Sequence, residues 1–198
     1  MVDRHGVIRS DRPQYNNGEK PRFINDAGPK TLEEAMKDCD VLLGVSGPGL
    51  INDEEVIHMA PNAVIFACSN PDPEVDPEVV AKLRPDIIMG TGRSDYPNQI
   101  NNVLCFPYLF RGALDVRATC INDEMMKAAM TALRDLAKQP VPAEVVKAAQ
   151  VDHLEYGRDY LIPKPMDARL RSQLSGAVAR AAVDSGVAQI PLPDCYKI

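Results

Sequence analysis

No stretch of the chain approaches the roughly 18 consecutive apolar residues of a membrane span, and Met1-Val-Asp-Arg-His-Gly6 lacks the basic and apolar regions of a signal peptide. The chain therefore reads as cytoplasmic, with no membrane partner. Clustered Lys and Arg are also missing, and 22 of them against 28 Asp and Glu leave a net charge of -6, which argues against a nucleic-acid surface. There is no C-x-x-C pair. The five cysteines (Cys39, Cys68, Cys105, Cys120, Cys195) are odd in number and widely spaced, so neither a disulfide framework nor a zinc site is expected. Cys68 and Cys105 lie in apolar runs and are expected to be buried thiols. Internal repeats and low-complexity segments are absent.

What is present suits a globular protein, with 45% apolar and 25% charged residues. Val2 and Val7-Ile8 are short β-branched pieces, followed by a polar loop from Arg9 to Gly28. Thr31-Leu-Glu-Glu34 has the form of a capping box, in which Thr and Glu each satisfy an otherwise unpaired N–H, and predicts a helix from Leu32 to Lys37. A strand over Val41–Val45 follows. Asn52-Asp-Glu-Glu55 opens a second helix ending near Pro61, and Ala63–Cys68 is a continuous apolar run that fits a strand buried on both faces. Asp76-Pro77-Glu78 places a cap before a proline whose missing N–H costs nothing there, starting a helix that ends before Pro85. Ile87–Gly90 is the next strand. Strands alternating with brief capped helices predict β-α-β units and a parallel sheet.

Beyond Ile100 the pattern turns helical. An apolar, buried helix is expected behind Asn101-Asn102, and Asn122-Asp-Glu opens a longer one to Lys138 with Met126, Met130, Leu133 and Ala137 on its core face. Shorter helical stretches follow over Ala143–Gln150 and Ala168–Asp184, on either side of an extended connector from Tyr156 to Pro165. The domain boundary is set at residue 120: a partial dinucleotide-binding domain over 1–120, then C-terminal helices over 121–198.

Ligands of an open parallel sheet sit at the carboxyl ends of its strands. Val45-Ser46-Gly47-Pro48-Gly49, Cys68-Ser69-Asn70-Pro71-Asp72-Pro73-Glu74 and Gly90-Thr91-Gly92-Arg93 all fall there and are rich in small and amide residues. Each alone is an ordinary turn; together they suggest close backbone approach to a planar cofactor. The G-x-G-x-x-G fingerprint of a dinucleotide fold is missing. Asp3 is placed like the acidic residue that follows such a fingerprint, at the end of a second strand, which would put the first strand and its phosphate loop upstream of Met1. In Asn101-Asn102 one Asn suffices as a helix cap, and the second points to a ligand, since each amide offers two donors and an acceptor.

Several longer segments, among them Asp40-Val-Leu-Leu-Gly-Val-Ser46, Ala67-Cys-Ser-Asn-Pro-Asp-Pro-Glu74, Thr91–Pro107, Phe110-Arg-Gly-Ala-Leu-Asp115 and Leu161-Ile-Pro-Lys-Pro165, closely resemble the malic enzymes, especially the bacterial type. The resemblance runs along essentially the whole chain. It implies an incomplete Rossmann-like doubly wound parallel sheet with a helical C-terminal segment, binding NAD or NADP in the oxidative decarboxylation of malate to pyruvate. It further implies that Asp3 meets the adenosine ribose, Ser46 and Gly47 pass their backbone beside the cofactor, and Asn70 lies by the nicotinamide and its ribose. Asn101 and Asn102 would reach the nicotinamide carboxamide and the malate carboxylate.

The family's catalytic Tyr and Lys, substrate Arg and Glu-Asp-Asp ligands for Mg or Mn belong to an N-terminal half that has no counterpart here. Tyr15, Tyr96, Tyr108, Tyr156, Tyr160 and Tyr196 do not stand in the catalytic Tyr context. No catalytic residue and no metal ligand is therefore assigned, and the chain alone is expected to be inactive. The open sheet edge implies a homo-oligomer, such as a dimer, or a separate N-terminal half as partner. The alternative is a non-catalytic nucleotide-binding or assembly module of a split enzyme.

Overall fold

The computed structural model describes residues 1–12 and 18–197; Tyr15 and the middle of the polar stretch from Arg9 to Gly28 lie outside the described residues. The chain forms two compact units, Met1–Tyr96 and Pro97–Ile198. That division comes ahead of residue 120, because the helix Phe106–Asp115 packs on the helix Arg169–Asp184.

The first unit is α/β. A small antiparallel pair, β1 (Val2–Asp3) and β2 (Gly6–Val7), is separate from a parallel three-stranded sheet of order β3-β4-β5 (Val41–Gly44, Val64–Ala67, Ile88–Thr91). Three short helices alternate with these strands: α1 (Leu32–Met36), α2 (Asp53–Ile57) and α3 (Pro77–Leu83). Their caps follow the sequence closely. Asn52 and Glu55 complete a reciprocal capping box, and Asp76 caps the proline-led α3. At α1 the Thr31 hydroxyl accepts from Glu34 N–H as expected, but the Glu34 carboxylate reaches one residue further back, to the Lys30 N–H at 2.7 Å.

The core of this unit lies on one face of the sheet. Met36, Val56 and Val80 from the three helices meet Ile65 and Ala67, with Leu42 and Met89 beside them. The opposite face is bare along β3 and just past its end, where Leu43 is 65% and Val45 78% exposed. Among the described residues β3 is also an edge strand, pairing only with β4. An apolar row on an unpaired parallel edge is unusual, since such sheets are normally covered on both faces.

The second unit is helical: α4 (Phe106–Asp115), α5 (Asp123–Ala137), α6 (Ala143–Ala148) and α7 (Arg169–Asp184). Met125, Ala129, Leu174, Val178, Ala179 and Ala182 form its centre. α4 comes so close to α7 that a Cβ on Gly112 would stand 2.5 Å from the Ser175 carbonyl oxygen, so only glycine fits there.

Three packing expectations are corrected. On α5 the buried face carries Met125, Ala129 and Leu136 together with the expected Ala137, while Met126 and Met130 point outward. Ala129 is small enough for α7 to lie against it, which rotates the methionines away from the interface. α4 is not a buried helix; Phe106, Phe110 and Leu114, spaced four apart, are exposed. Cys68 and Cys105 are half-buried rather than buried. Among the described residues no helix is long and apolar enough to cross a membrane.

Candidate functional site

The parallel register aligns Gly44 with Ala67 and Ala67 with Thr91, so the loops after β3, β4 and β5 emerge at one edge of the sheet. Glu74, a buried residue at the end of the second loop with no role expected from the sequence, ties two of them together. Its side chain is 1% exposed. One carboxylate oxygen accepts the Ser46 N–H at 2.8 Å and the Ser46 hydroxyl at 3.3 Å; the other accepts the Ser69 N–H at 3.0 Å. Backbone bonds reinforce the clamp, from Gly49 N–H to the Pro73 carbonyl and from Ile51 N–H to the Glu74 carbonyl. Gly44 makes room for it, since a Cβ there would lie 2.6 Å from the Glu74 carboxyl carbon. The available signal was a glutamate closing the polar motif Ala67–Glu74 with a glycine just ahead of Ser46.

The clamp determines what each named rim residue can offer. Ser46 has both its N–H and its hydroxyl committed to Glu74, which leaves its carbonyl. Gly47 is open, because an added Cβ would meet only Leu50, at 3.7 Å. Asn70 directly follows the anchored Ser69, is exposed, and makes no side-chain hydrogen bond among the described residues. At the third loop Arg93 pairs with Asp95 at 2.6 Å and approaches Asp72 at 3.9 Å. The hydrogen bonds it donates to the Asp95 carboxylate hold the Arg93 guanidinium even more firmly protonated than usual. Burial, reinforced by the Glu74 charge, pushes the Cys68 thiol up.

Asp3 stands apart from this rim in the sequence and in its pairing. β1, which carries it, pairs antiparallel with β2 rather than extending the parallel sheet. Its carboxylate accepts Arg12 at 2.6 Å, Lys20 at 2.7 Å and the His5 N–H at 2.9 Å. Burial pulls the Asp3 carboxyl upward, but the hydrogen bonds from Lys20, Arg12 and His5 outweigh it and hold the group well below the usual carboxylate range.

In the second unit Asn101 caps the 3-10 turn Asn102–Leu104, its side-chain oxygen accepting the Val103 N–H at 3.0 Å. Its amide nitrogen has no bond within the described residues, and both Asn101 and Asn102 are exposed. Asn98, for which the sequence gives no expected role, is the structural amide of this segment. It is buried, donates to the Arg158 carbonyl and accepts the Leu161 N–H, each at 2.8 Å, fastening the loop to the extended connector. A separate groove of about 740 Å³ between α5 and α7, lined by Lys127, Thr131, Gln173 and Arg180 among others, contains none of the named residues. Among the described residues no group of three or more His, Cys, Asp and Glu is placed to hold a metal ion.

The family described as "Malic enzyme, NAD binding domain" matches residues 1–154. The chain belongs to the malic enzyme NAD-binding domain family. An NADP-dependent malic enzyme of Halomonas elongata is 54% identical over 198 residues, all of this chain and 47% of that protein. The crystal structure of Entamoeba histolytica malic enzyme superposes with a TM-score of 0.81 at 28% identity, covering 100% of this chain and 40% of that one. Malic enzyme from Pyrococcus horikoshii gives 0.69 at 38% identity over 81% of this chain and 34% of its own. The chain thus spans about half or less of the length of these relatives. As a malic enzyme NAD-binding domain it has the expected α/β class with a parallel sheet, and its solved neighbours are malic enzymes.

Proposed function

We propose that the chain supplies the cofactor-binding part of an NAD(P)-dependent enzyme that oxidatively decarboxylates malate to pyruvate and carbon dioxide. The observation that carries this reading is the Glu74 clamp. It fixes the Ser46–Gly47 and Ser69–Asn70 loops as one rim and leaves the Asn70 amide unspent and exposed. An unspent amide next to the anchored Ser69, on a rim that also carries the open Gly47, suits a planar, amide-bearing ring. Bound there, nicotinamide supplies the hydride acceptor.

The residues of this chain bind and orient. Asn70 takes the nicotinamide and its ribose. Asn101 keeps its amide N–H groups free for the carboxamide or a malate carboxylate while its oxygen holds the turn, and Asn102 adds a second amide toward the substrate. No residue of this chain is assigned the proton transfers. Asp3 receives the adenosine ribose. With Arg12 and Lys20 both on its carboxylate, the local charge is positive, which supports NADP, whose ribose carries a phosphate, over NAD.

A further reading, as partner surface, is favoured by the bare β3 face. A strand and helix from an N-terminal half, or a second copy, would cover Val41, Leu43 and Val45. The nucleotide reading is tested by titrating NADP and NAD into the chain and into Asn70→Ala. Binding of NADP that weakens about tenfold in the variant is expected from loss of one amide contact to the cofactor; equal affinity of the two proteins removes Asn70 from the site.

A further inference from the structure

Glu74 carries a charge that no neighbour cancels. Its two oxygens accept an N–H and a hydroxyl from Ser46 and an N–H from Ser69, the pattern of an ionised, acceptor-only carboxylate. No Lys, Arg or His forms an ion pair with it among the described residues. The rest of the rim adds to the negative side. Asp72 and Asp95 both face the single guanidinium of Arg93, so the carboxylates outnumber the cation even before Glu74 is considered. Its bond from the Ser69 N–H sets this charge against the loop carrying Asn70, in keeping with the Cys68 thiol being pushed up by burial and, after it, by Glu74. A buried charge is screened far less by water and salt than an exposed one.

The two forms of a nicotinamide ring respond differently to such a potential. Oxidised, the ring is a cation; reduced, it is neutral. We propose that the buried Glu74 carboxylate makes this rim favour the oxidised, cationic nicotinamide ring over the reduced one. The inference rests on the reading that nicotinamide sits at this rim, and it deepens that reading by naming the redox form the site selects. The same charge repels phosphate, so the pyrophosphate of the cofactor lies away from the clamp. Gly44, by leaving space for the carboxylate beneath the Ser46 loop, is part of the device.

The inference is tested by calorimetric titration of the chain with NADP in its oxidised and reduced forms, wild type against Glu74→Gln. Circular dichroism confirms that the variant is folded. The ratio of affinities, oxidised over reduced, is expected to fall on the order of tenfold in Glu74→Gln, the scale of one partly buried charge interaction, chiefly through weaker binding of the oxidised form. An unchanged ratio with both forms still bound overturns this inference and leaves the nucleotide reading standing. Failure of the wild-type chain to bind either form overturns that reading and this inference with it. If Glu74→Gln does not fold, the ratio is read on the exposed Asp72→Asn at low ionic strength; a smaller fall of the same sign supports the inference, and no fall overturns it.

Discussion

The Tyr196 hydroxyl donates to the Asp115 carboxylate at 2.7 Å, fastening the C-terminal turn Asp194–Tyr196 to the end of α4. Arg111 holds the same carboxylate at 2.7 Å, so Asp115 keeps a partner if the phenol is removed. Tyr196→Phe should therefore cost only about 1 kcal/mol in urea denaturation at neutral pH. Burial, together with Asp115, raises the Tyr196 phenol above its ordinary 10.0. A group raised on folding gives its full contribution below the unfolded value and loses it as pH climbs through the folded one. The gap between wild type and Tyr196→Phe should accordingly narrow above about pH 10; a gap that widens there contradicts the assignment.

Neighbouring methionines on α5 should respond in opposite ways. Met125 is 0% and Met130 61% exposed. Met125→Ala opens a cavity against α7 and should cost roughly 2–5 kcal/mol, whereas Met130→Ala should stay within about 0.5 kcal/mol. Thermal or chemical unfolding of the two variants decides it, and similar losses would place the helix face wrongly.

Leu43 offers a test of the bare sheet face. Glu at this exposed edge position should leave the melting temperature of the chain nearly unchanged while suppressing concentration-dependent association in sedimentation velocity. Association that persists unaltered in Leu43→Glu would assign it to another surface, such as the Phe106 and Phe110 stripe of α4.

Local signals were legible in the sequence wherever one residue decides a backbone group. Asn52, Asp76 and Asn122 cap the helices they announce, because capping depends only on neighbours a few residues away. The alternation of strand and helix likewise gave the parallel sheet, and with it the shared edge of the Ser46 and Asn70 loops. What the sequence could not show depends on distant partners. Met126 and Met130 have the right spacing for a core face, yet the choice between them and Met125 with Ala129 is made by α7, about 50 residues later. Asn98 looked like its neighbours Asn101 and Asn102 until the backbone of Arg158 and Leu161 claimed its amide. Glu74 was hidden for the same reason, since the serines it holds lie in two different loops.

Gly44 and Glu74 occupy one volume between them, as a methyl group at 44 would overlap the carboxylate at 74. The pair can therefore diverge only along a particular route. Shortening position 74 must come first, and only afterwards does any larger residue become admissible at 44; the reverse order passes through a protein with its rim pried open. Lineages descended from this chain should thus retain the glycine for as long as they retain the glutamate.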